Sequence, residues 1–405
     1  MDIDTNTRNN KNRYIEGLIQ GAIAGVVLIM LFNYGLSALN SGGGLWSDPD
    51  GFEDKVSEVY DRIDKYYVED YDKEDVENGM LVGMVYGLGD IYSAYMDAAT
   101  FKSFTEETEG IYTGVGAVVS DTEDGRVLVV SPYDGSPAAK AGLKPQDVIT
   151  HVNGIDILGA GVDNVVAMMK GEPGTTVNVT VFRESESRTF DTDITRDVIT
   201  MQTVTSKMMD NNMGYIRLSG FEGVTFEQFD SALTKLKSEG AKGYILDVRN
   251  NPGGRLDIVA DICDRLVPQG TIVYTEDKDG DKEFLKSDAE YLDMPMILLV
   301  NGNSASASEV LAGAVKDYEV ATLVGEQTFG KGVVQQIFPL EDGSAVKLTT
   351  SRYYSPKGVC IHGEGIAPDY VVPMAPELTA DVANIAYEDD VQLQKAVEVL
   401  GEMMK

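Results

Sequence analysis

Residues 15–32 read IEGLIQGAIAGVVLIMLF, and no other segment constrains the chain as strongly. A run of about 18 apolar residues is near the lower limit for a helix that spans a bilayer. Glu16 and Gln20 fall in its first turns, within reach of the headgroup region. Arg8, Lys11 and Arg13 precede the run, whereas the first charge after it is Asp48. Basic residues stay on the cytoplasmic side. The amino terminus is therefore expected inside, an anchor over residues 15–35, and the remaining chain outside the cytoplasm. No A-x-A site follows, which favours an uncleaved anchor over a signal peptide. The expected localisation is the cell membrane, single-pass. Gly17, Gly21 and Gly25 repeat a GxxxG spacing that suits a homodimer through this helix; ordinary glycine usage in membrane helices is the other reading. Ser41-Gly42-Gly43-Gly44 reads as part of a linker over residues 36–50.

The 405 residues carry a formal net charge of −33. No basic stripe can form against that background, which excludes nucleic acid as an expected partner. His151 and His362 are the two histidines, and Cys263 and Cys360 the two cysteines. Neither pair has metal-ligand spacing, so no metal or cofactor is expected. Two packed thiols are the reading for the cysteines, with a disulfide as the alternative. His151, inside a strand pattern, and His362, between glycines, read as surface or packing residues. Proton transfer in this chain must then fall to a group other than imidazole.

Beyond the linker the texture changes three times. Residues 51–110 place Val56, Val59, Tyr60, Ile63, Tyr66, Tyr67, Met80, Met84 and Leu88 at helical spacing, a helical region whose stripe is core or dimer contact. Residues 111–197 consist of short β runs. Residues 198–377 alternate strands (214–218, 243–249, 296–300) with helices (225–238, 256–266), the pattern of an α/β core. Residues 378–405 read as a helical tail without chemistry.

Within the β-rich segment, Gly114-Val115-Gly116, then SPAAKAGL (136–143), then DVITHVNG (147–154) follow one another. This succession resembles a PDZ domain. Successive N–H groups in a glycine loop form a nest for a terminal carboxylate, and the adjoining strand edge pairs with an extended peptide. The resemblance implies that Gly114, Val115 and Gly116 bind a substrate carboxyl terminus. Lys170 stands where related modules often carry a basic residue: either it meets that carboxylate or it is a solvated lysine.

Asn301-Gly302-Asn303-Ser304-Ala305-Ser306-Ala307-Ser308-Glu309 joins a buried strand to an apolar helix. A serine at a helix amino terminus can attack a carbonyl while neighbouring N–H groups hold the oxyanion. An ordinary serine-rich cap is the alternative, and the residues alone do not choose among Ser304, Ser306 and Ser308. NGNSASASE, the upstream YILDVRNNPGG (244–254) and TFGKG (328–332) together resemble the carboxy-terminal processing peptidases, the tail-specific proteases of family S41, over roughly residues 100–373. The resemblance implies a crotonase-like α/β core with an inserted PDZ domain. It also implies a serine endopeptidase that cleaves exported or membrane proteins near their free carboxyl termini, gated by its PDZ module. Ser306 would be the nucleophile, Lys331 the base and Gln335 the residue orienting it. The oxyanion donors would be Ala307 N–H and that of Gly253 or Gly254.

A lysine base must be neutral, which burial favours, and Phe329, Val333 and Val334 promise a dry setting. Glu309 is read as a supporting residue whose charge would oppose that neutrality. Residues four apart in a straight strand are about 13 Å apart, so a Lys331–Gln335 contact requires a bend or bulge. Gly325-x4-Gly330-Lys331 mimics a P-loop, but Gly332 replaces the magnesium-binding hydroxyl and a strand pattern follows. An inactive membrane-anchored PDZ scaffold and a crotonase-like acyl-CoA enzyme are the rival classes.

Overall fold

Helix α1 (Phe52–Tyr66) opens the described chain, with Glu53 and Asp54 in its first turn, where the helix dipole favours negative charge. The structure, a computed structural model, describes residues 51–405 apart from Glu123, Asp134 and Asp381. The anchor expected at residues 15–35 and the linker expected at residues 36–50 lie outside these; among the described residues no helix is long and apolar enough to cross a membrane. The chain divides into two units, Met1–Asp75 and Val76–Lys405. In the first, α1 buries none of its residues. The apolar stripe expected to form a core is therefore not packed within this helix.

Helix α2 (Lys73–Tyr86) leads into strand β1 (Ala94–Met96) and helix α3 (Ala98–Glu109). The strand corrects the purely helical reading of residues 51–110: β1 pairs antiparallel with the strand Ala345–Tyr354. Helix α3 is capped by the Asp97 side chain, which accepts the Thr100 N–H at 2.7 Å, and ends at Gly110 with φ 70°.

The PDZ segment comprises β2 (Ile111–Gly114), β3 (Ala117–Asp121), β4 (Val127–Pro132), the short α4 (Pro137–Lys140), β5 (Asp147–Val152), β6 (Ile155–Asp156), α5 (Val162–Met169), β7 (Thr176–Arg183), β8 (Arg188–Thr195) and β9 (Asp197–Thr200). Its main sheet runs β3-β4-β5-β7-β8, leaving β3 at an edge, while β2 pairs with β9. Alternation in β7 buries Val177, Val179 and Val181, as a strand with one face on a core requires.

The catalytic segment continues with β10 (Val204–Met209), β11 (Met213–Leu218), α6 (Thr225–Ser238), β12 (Gly243–Asp247), α7 (Leu256–Asp264), β13 (Gly270–Asp277), β14 (Lys282–Ser287), β15 (Met296–Val300), α8 (Ala307–Asp317), β16 (Thr322–Gly325), β17 (Val333–Pro339), β18 (Ala345–Tyr354), β19 (Tyr370–Val371) and α9 (Val391–Met403). One sheet runs β10-β11-β12-β15-β16-β19, parallel from β11 onward. Both its faces are covered, which explains the continuous apolar strands. Tyr244, Leu246 and Leu298 pack with α6, α7 and α8; Ile245, Ile297 and Leu299 pack with Leu393, Ala396 and Leu400 of α9. The second sheet joins β1, β18, β13 and β14, with β17 also on β18.

The tail's α-helix begins at Val391, and the tail supplies partners to a buried ion cluster. Asp390 and Gln392 accept hydrogen bonds from Arg249, a fully buried guanidinium that also pairs with Asp247 at 2.7 Å. This ion cluster fixes the end of β12, from which the glycine loop at 250–254 departs. Cys263 and Cys360 are free thiols.

Candidate active site

Strand β15 is buried throughout, and the chain reverses sharply before α8. The three serines of this turn differ in what their hydroxyls do. Ser304 Oγ donates to Val248 O at 2.8 Å, and Ser308 Oγ donates to Asn251 O at 2.9 Å; both residues are fully buried. Ser306 alone of the three lines a cavity of about 410 Å³. Its backbone has φ 55° and ψ −114°, a left-handed conformation that costs a non-glycine residue on the order of 1–3 kcal/mol and persists only where the surroundings impose it.

Glu309 supplies that restraint. Its carboxylate is buried and accepts four hydrogen bonds: from Ser306 N–H at 2.9 Å, Thr328 Oγ1 at 2.6 Å, Gly330 N–H at 2.7 Å and Lys331 N–H at 2.8 Å. One side chain thus ties the serine turn to the loop that carries the lysine. The Tyr353 hydroxyl adds a second tie, lying within hydrogen-bonding distance of the carbonyls of Ser306 and Lys331. Having one proton, it serves them one at a time. Glu309 was legible as a neighbour of Ser306, but its partners come from a loop about twenty residues away. Tyr353 carried no signal. The P-loop likeness dissolves here too: Gly330 N–H is committed to a carboxylate, and a strand, not a helix, follows.

Lys331 lines the same cavity as Ser306 and is half-buried. Burial pushes its amine below the ordinary lysine range, and repulsion from Lys347 adds to this, against the pull of Asp90 and Glu309. Val333 is buried beside it, but Phe329 is 55% exposed and does not help to dry the site as expected. Among the described residues no hydrogen bond joins Lys331 Nζ to Ser306; the amine instead sits over the Tyr92 ring, 4.7 Å from its centroid. The irregularity required near Gln335 is present, because the β17–β18 register shifts between Val334 and Gln335. The bulge nevertheless delivers Gln335 Nε2 to Thr349 Oγ1 at 3.2 Å rather than to Lys331.

The two candidate glycines separate clearly. Gly253 (φ 109°) packs so closely that a Cβ on it would stand 2.8 Å from Ser306 Cβ and 3.0 Å from Ala307 N. Its own N–H is spent on Asn251 Oδ1 at 2.9 Å. Gly254 lines the cavity with Ser306 and Ala307, and among the described residues no acceptor meets the N–H of Gly254 or Ala307.

A second cavity, of about 290 Å³, is lined by Gly114, Val115, Gly116 and Lys170 together with Val166 and Met169 of α5. The carbonyls of Val115 and Gly116 accept from Ala138 N at 2.8 Å and Tyr133 N at 3.0 Å. These bonds draw the carbonyls toward the body of the domain. Lys170 is partly exposed and paired: Nζ meets Glu106 of α3 at 3.0 Å and lies over the Tyr112 ring. Helix α3 therefore borders both cavities, giving Phe104 and Thr108 to one and Ser103 and Glu107 to the other.

Three family models match this chain. Residues 212–372 match peptidase family S41, residues 113–194 match the PDZ domain, and residues 45–100 match the amino-terminal domain of the activating protease CtpB. The carboxy-terminal processing protease CtpA of Bacillus subtilis is 38% identical over 87% of this chain and 76% of its own length. CtpB of the same organism is 35% identical over 87% of this chain and 74% of its own length. Among solved structures, a photosystem II D1 C-terminal processing protease aligns with a TM-score of 0.47 at 31% identity, over 79% of this chain and 86% of that one.

Proposed function

The chain belongs to peptidase family S41 as a serine endopeptidase of the carboxy-terminal processing type, and on that premise we propose that Ser306 is its nucleophile and Lys331 its general base. The neutral amine takes the Ser306 Oγ proton as the oxygen attacks the scissile carbonyl. The oxyanion falls to the N–H groups of Ala307 and, of the two glycines, Gly254. The ammonium then returns its proton to the leaving amine, and a water activated by the same amine hydrolyses the acyl-enzyme. Gln335 orients the lysine once its amide leaves Thr349.

The observation that carries this reading is the division of labour among the serines: Ser304 and Ser308 are consumed by backbone carbonyls, while Ser306 borders a cavity shared with a lysine whose charge is disfavoured by burial. A fluorophosphonate probe tests it. Labelling of the wild-type chain that disappears in Ser306→Ala, together with loss of casein cleavage in Ser306→Ala and Lys331→Ala, is expected. Labelling that survives Ser306→Ala sinks the assignment, and unlabelled wild-type protein would favour the inactive scaffold.

The substrates are exported or membrane proteins with free carboxyl termini. The terminal carboxylate enters the Val115–Gly116 loop and the peptide extends along the open edge of β3. Gating by this module is supported by α3, which lines both cavities. The apolar run at residues 15–32 supports a single-pass anchor with the peptidase outside the cytoplasm. The glycine spacing within that run supports a homodimer.

A further inference from the structure

The contact between Lys331 and Tyr92 discriminates between the two forms of the lysine. The negative face of an aromatic ring attracts an ammonium and has no such attraction for a neutral amine. The turn that carries the ring is tied down by hydrogen bonds. Tyr92 N–H and Ser93 Oγ donate to the Asp90 carboxylate at 3.1 and 2.6 Å, and Ser93 Oγ accepts the Thr349 N–H at 3.0 Å. Thr349 also carries the Gln335 amide, and β1, directly after this turn, pairs with β18. The turn at 90–93 and the strand that holds Gln335 thus form one rigid mount. The other groups facing the amine are Lys347 of β18, which repels its charge, Asp90 and Glu309, which attract it, and the uncharged Tyr353 hydroxyl. Glu309 already serves four donors. Arg255 on the cavity wall is occupied by Asp257 and Glu109.

We propose that Tyr92 is a positioning residue for the general base: its ring holds the protonated Lys331 side chain off the nucleophile, and loss of the proton to water frees the amine to turn toward Ser306. The inference rests on the reading of Lys331 as base. It makes the resting geometry a property of the ammonium form, so that the contact competes with catalysis only while the lysine is charged.

The test is the pH profile of kcat/KM on a peptide substrate for the full chain and its Tyr92→Leu, Tyr92→Phe and Tyr92→Trp variants, with Lys331→Ala beside them. A cation–π contact of this kind corresponds to roughly 0.5–1 pH unit. Tyr92→Leu is expected to move the acidic limb down by that amount. Tyr92→Phe should leave it within about 0.2 unit, and Tyr92→Trp, whose indole binds cations best, should raise it. If Tyr92→Leu does not fold, the Phe and Trp variants carry the comparison. Coincident limbs, or a loss of rate without displacement of the limb, overturn the role of Tyr92 when Lys331→Ala is inactive. Cleavage that persists in Lys331→Ala overturns the assignment of the base itself, and the role of Tyr92 with it.

Discussion

The Glu309 carboxylate accepts the N–H of Ser306, three residues earlier, at 2.9 Å, and with the same oxygen takes the Lys331 N–H at 2.8 Å. Ser306 and Lys331 are thereby held by one buried group at the start of α8, where the helix dipole offsets its charge. The arrangement explains how a left-handed serine is maintained without glycine.

Replacing Glu309 by Gln keeps the shape but turns an N–H₂ group toward donors, either the N–H groups of Ser306 and Lys331 or the Gly330 N–H and the Thr328 hydroxyl. Each lost charge-assisted bond is worth about 1.5–3 kcal/mol, and a shift of about 1 Å at a nucleophile costs on the order of 100-fold in rate. We expect Glu309→Gln to lower kcat by at least ~100-fold with a smaller effect on KM, and to lower the thermal midpoint. Steady-state kinetics with calorimetry check this; near-normal kcat would show that the tie is dispensable.

Lys347 is the remaining cation of the cavity without a carboxylate partner among the described residues, and its nitrogen lies over the Phe104 ring. Its charge opposes protonation of Lys331, adding to the effect of burial. With the neutral amine as the proposed general base, kcat/KM should rise with pH through a value below the ordinary lysine pKa near 10.4. Removing the like charge raises the pKa of Lys331, so Lys347→Met should displace the acidic limb to higher pH and slow the reaction at neutral pH. Lys347→Arg should restore both. An unmoved limb in Lys347→Met contradicts the prediction.

Much of this was legible in the chain because local rules and tertiary packing agree. Helix Thr225–Ser238 and strand Met296–Val300 fall where periodicity and apolar runs put them. The serine turn stood out by its small residues at a strand-to-helix junction, whereas the glycine loop and the lysine loop were recognisable only by their resemblance to the tail-specific proteases. What escaped depends on distance in sequence. Strand β1 is three residues long and owes its existence to β18, roughly 250 residues later. Tyr353 and Tyr92 look like any aromatic in a strand or turn until the fold sets them against Ser306 and Lys331. The partner of Lys170 could not be read either, since Glu106 belongs to a helix outside the PDZ pattern.

Arg249, Asp247 and Asp390 form a buried cluster that joins the catalytic strand to the tail. Removing Asp390 leaves Arg249 with Asp247 but takes away two charge-assisted hydrogen bonds, each worth about 1.5–3 kcal/mol. Asp390→Ala is expected to destabilise the chain by about that amount in urea unfolding. Burial by itself would raise the Asp247 carboxyl, but Arg249, joined by Arg217 and the Tyr215 hydroxyl, outweighs it and holds the group below the ordinary range. A depressed folded-state pKa stabilises above the unfolded value near 4 and is lost as pH falls through the folded value. Acid unfolding of the wild type should therefore begin below about pH 4. A stability curve flat through that region, or an Asp390→Ala variant as stable as wild type, goes against this account.

The paired Lys170 and Glu106 bear on what the PDZ cavity selects. With Lys170 engaged at 3.0 Å, the incoming carboxylate must be met first by the N–H groups of Val115 and Gly116, for which no acceptor is found among the described residues. Bonds from neutral donors to a charged acceptor are worth about 1.5–3 kcal/mol, so a peptide ending in a free acid should be cleaved roughly ten-fold or more better than its carboxy-terminal amide at subsaturating concentration. Glu106→Gln should widen that ratio, because it frees an ammonium at the same cavity. Deleting residues 111–197 should abolish the ratio, provided the shortened chain still labels at Ser306. Equal cleavage of acid and amide by the intact protein would mean that the terminus is read elsewhere, and an unchanged ratio after deletion would remove the PDZ segment from substrate selection.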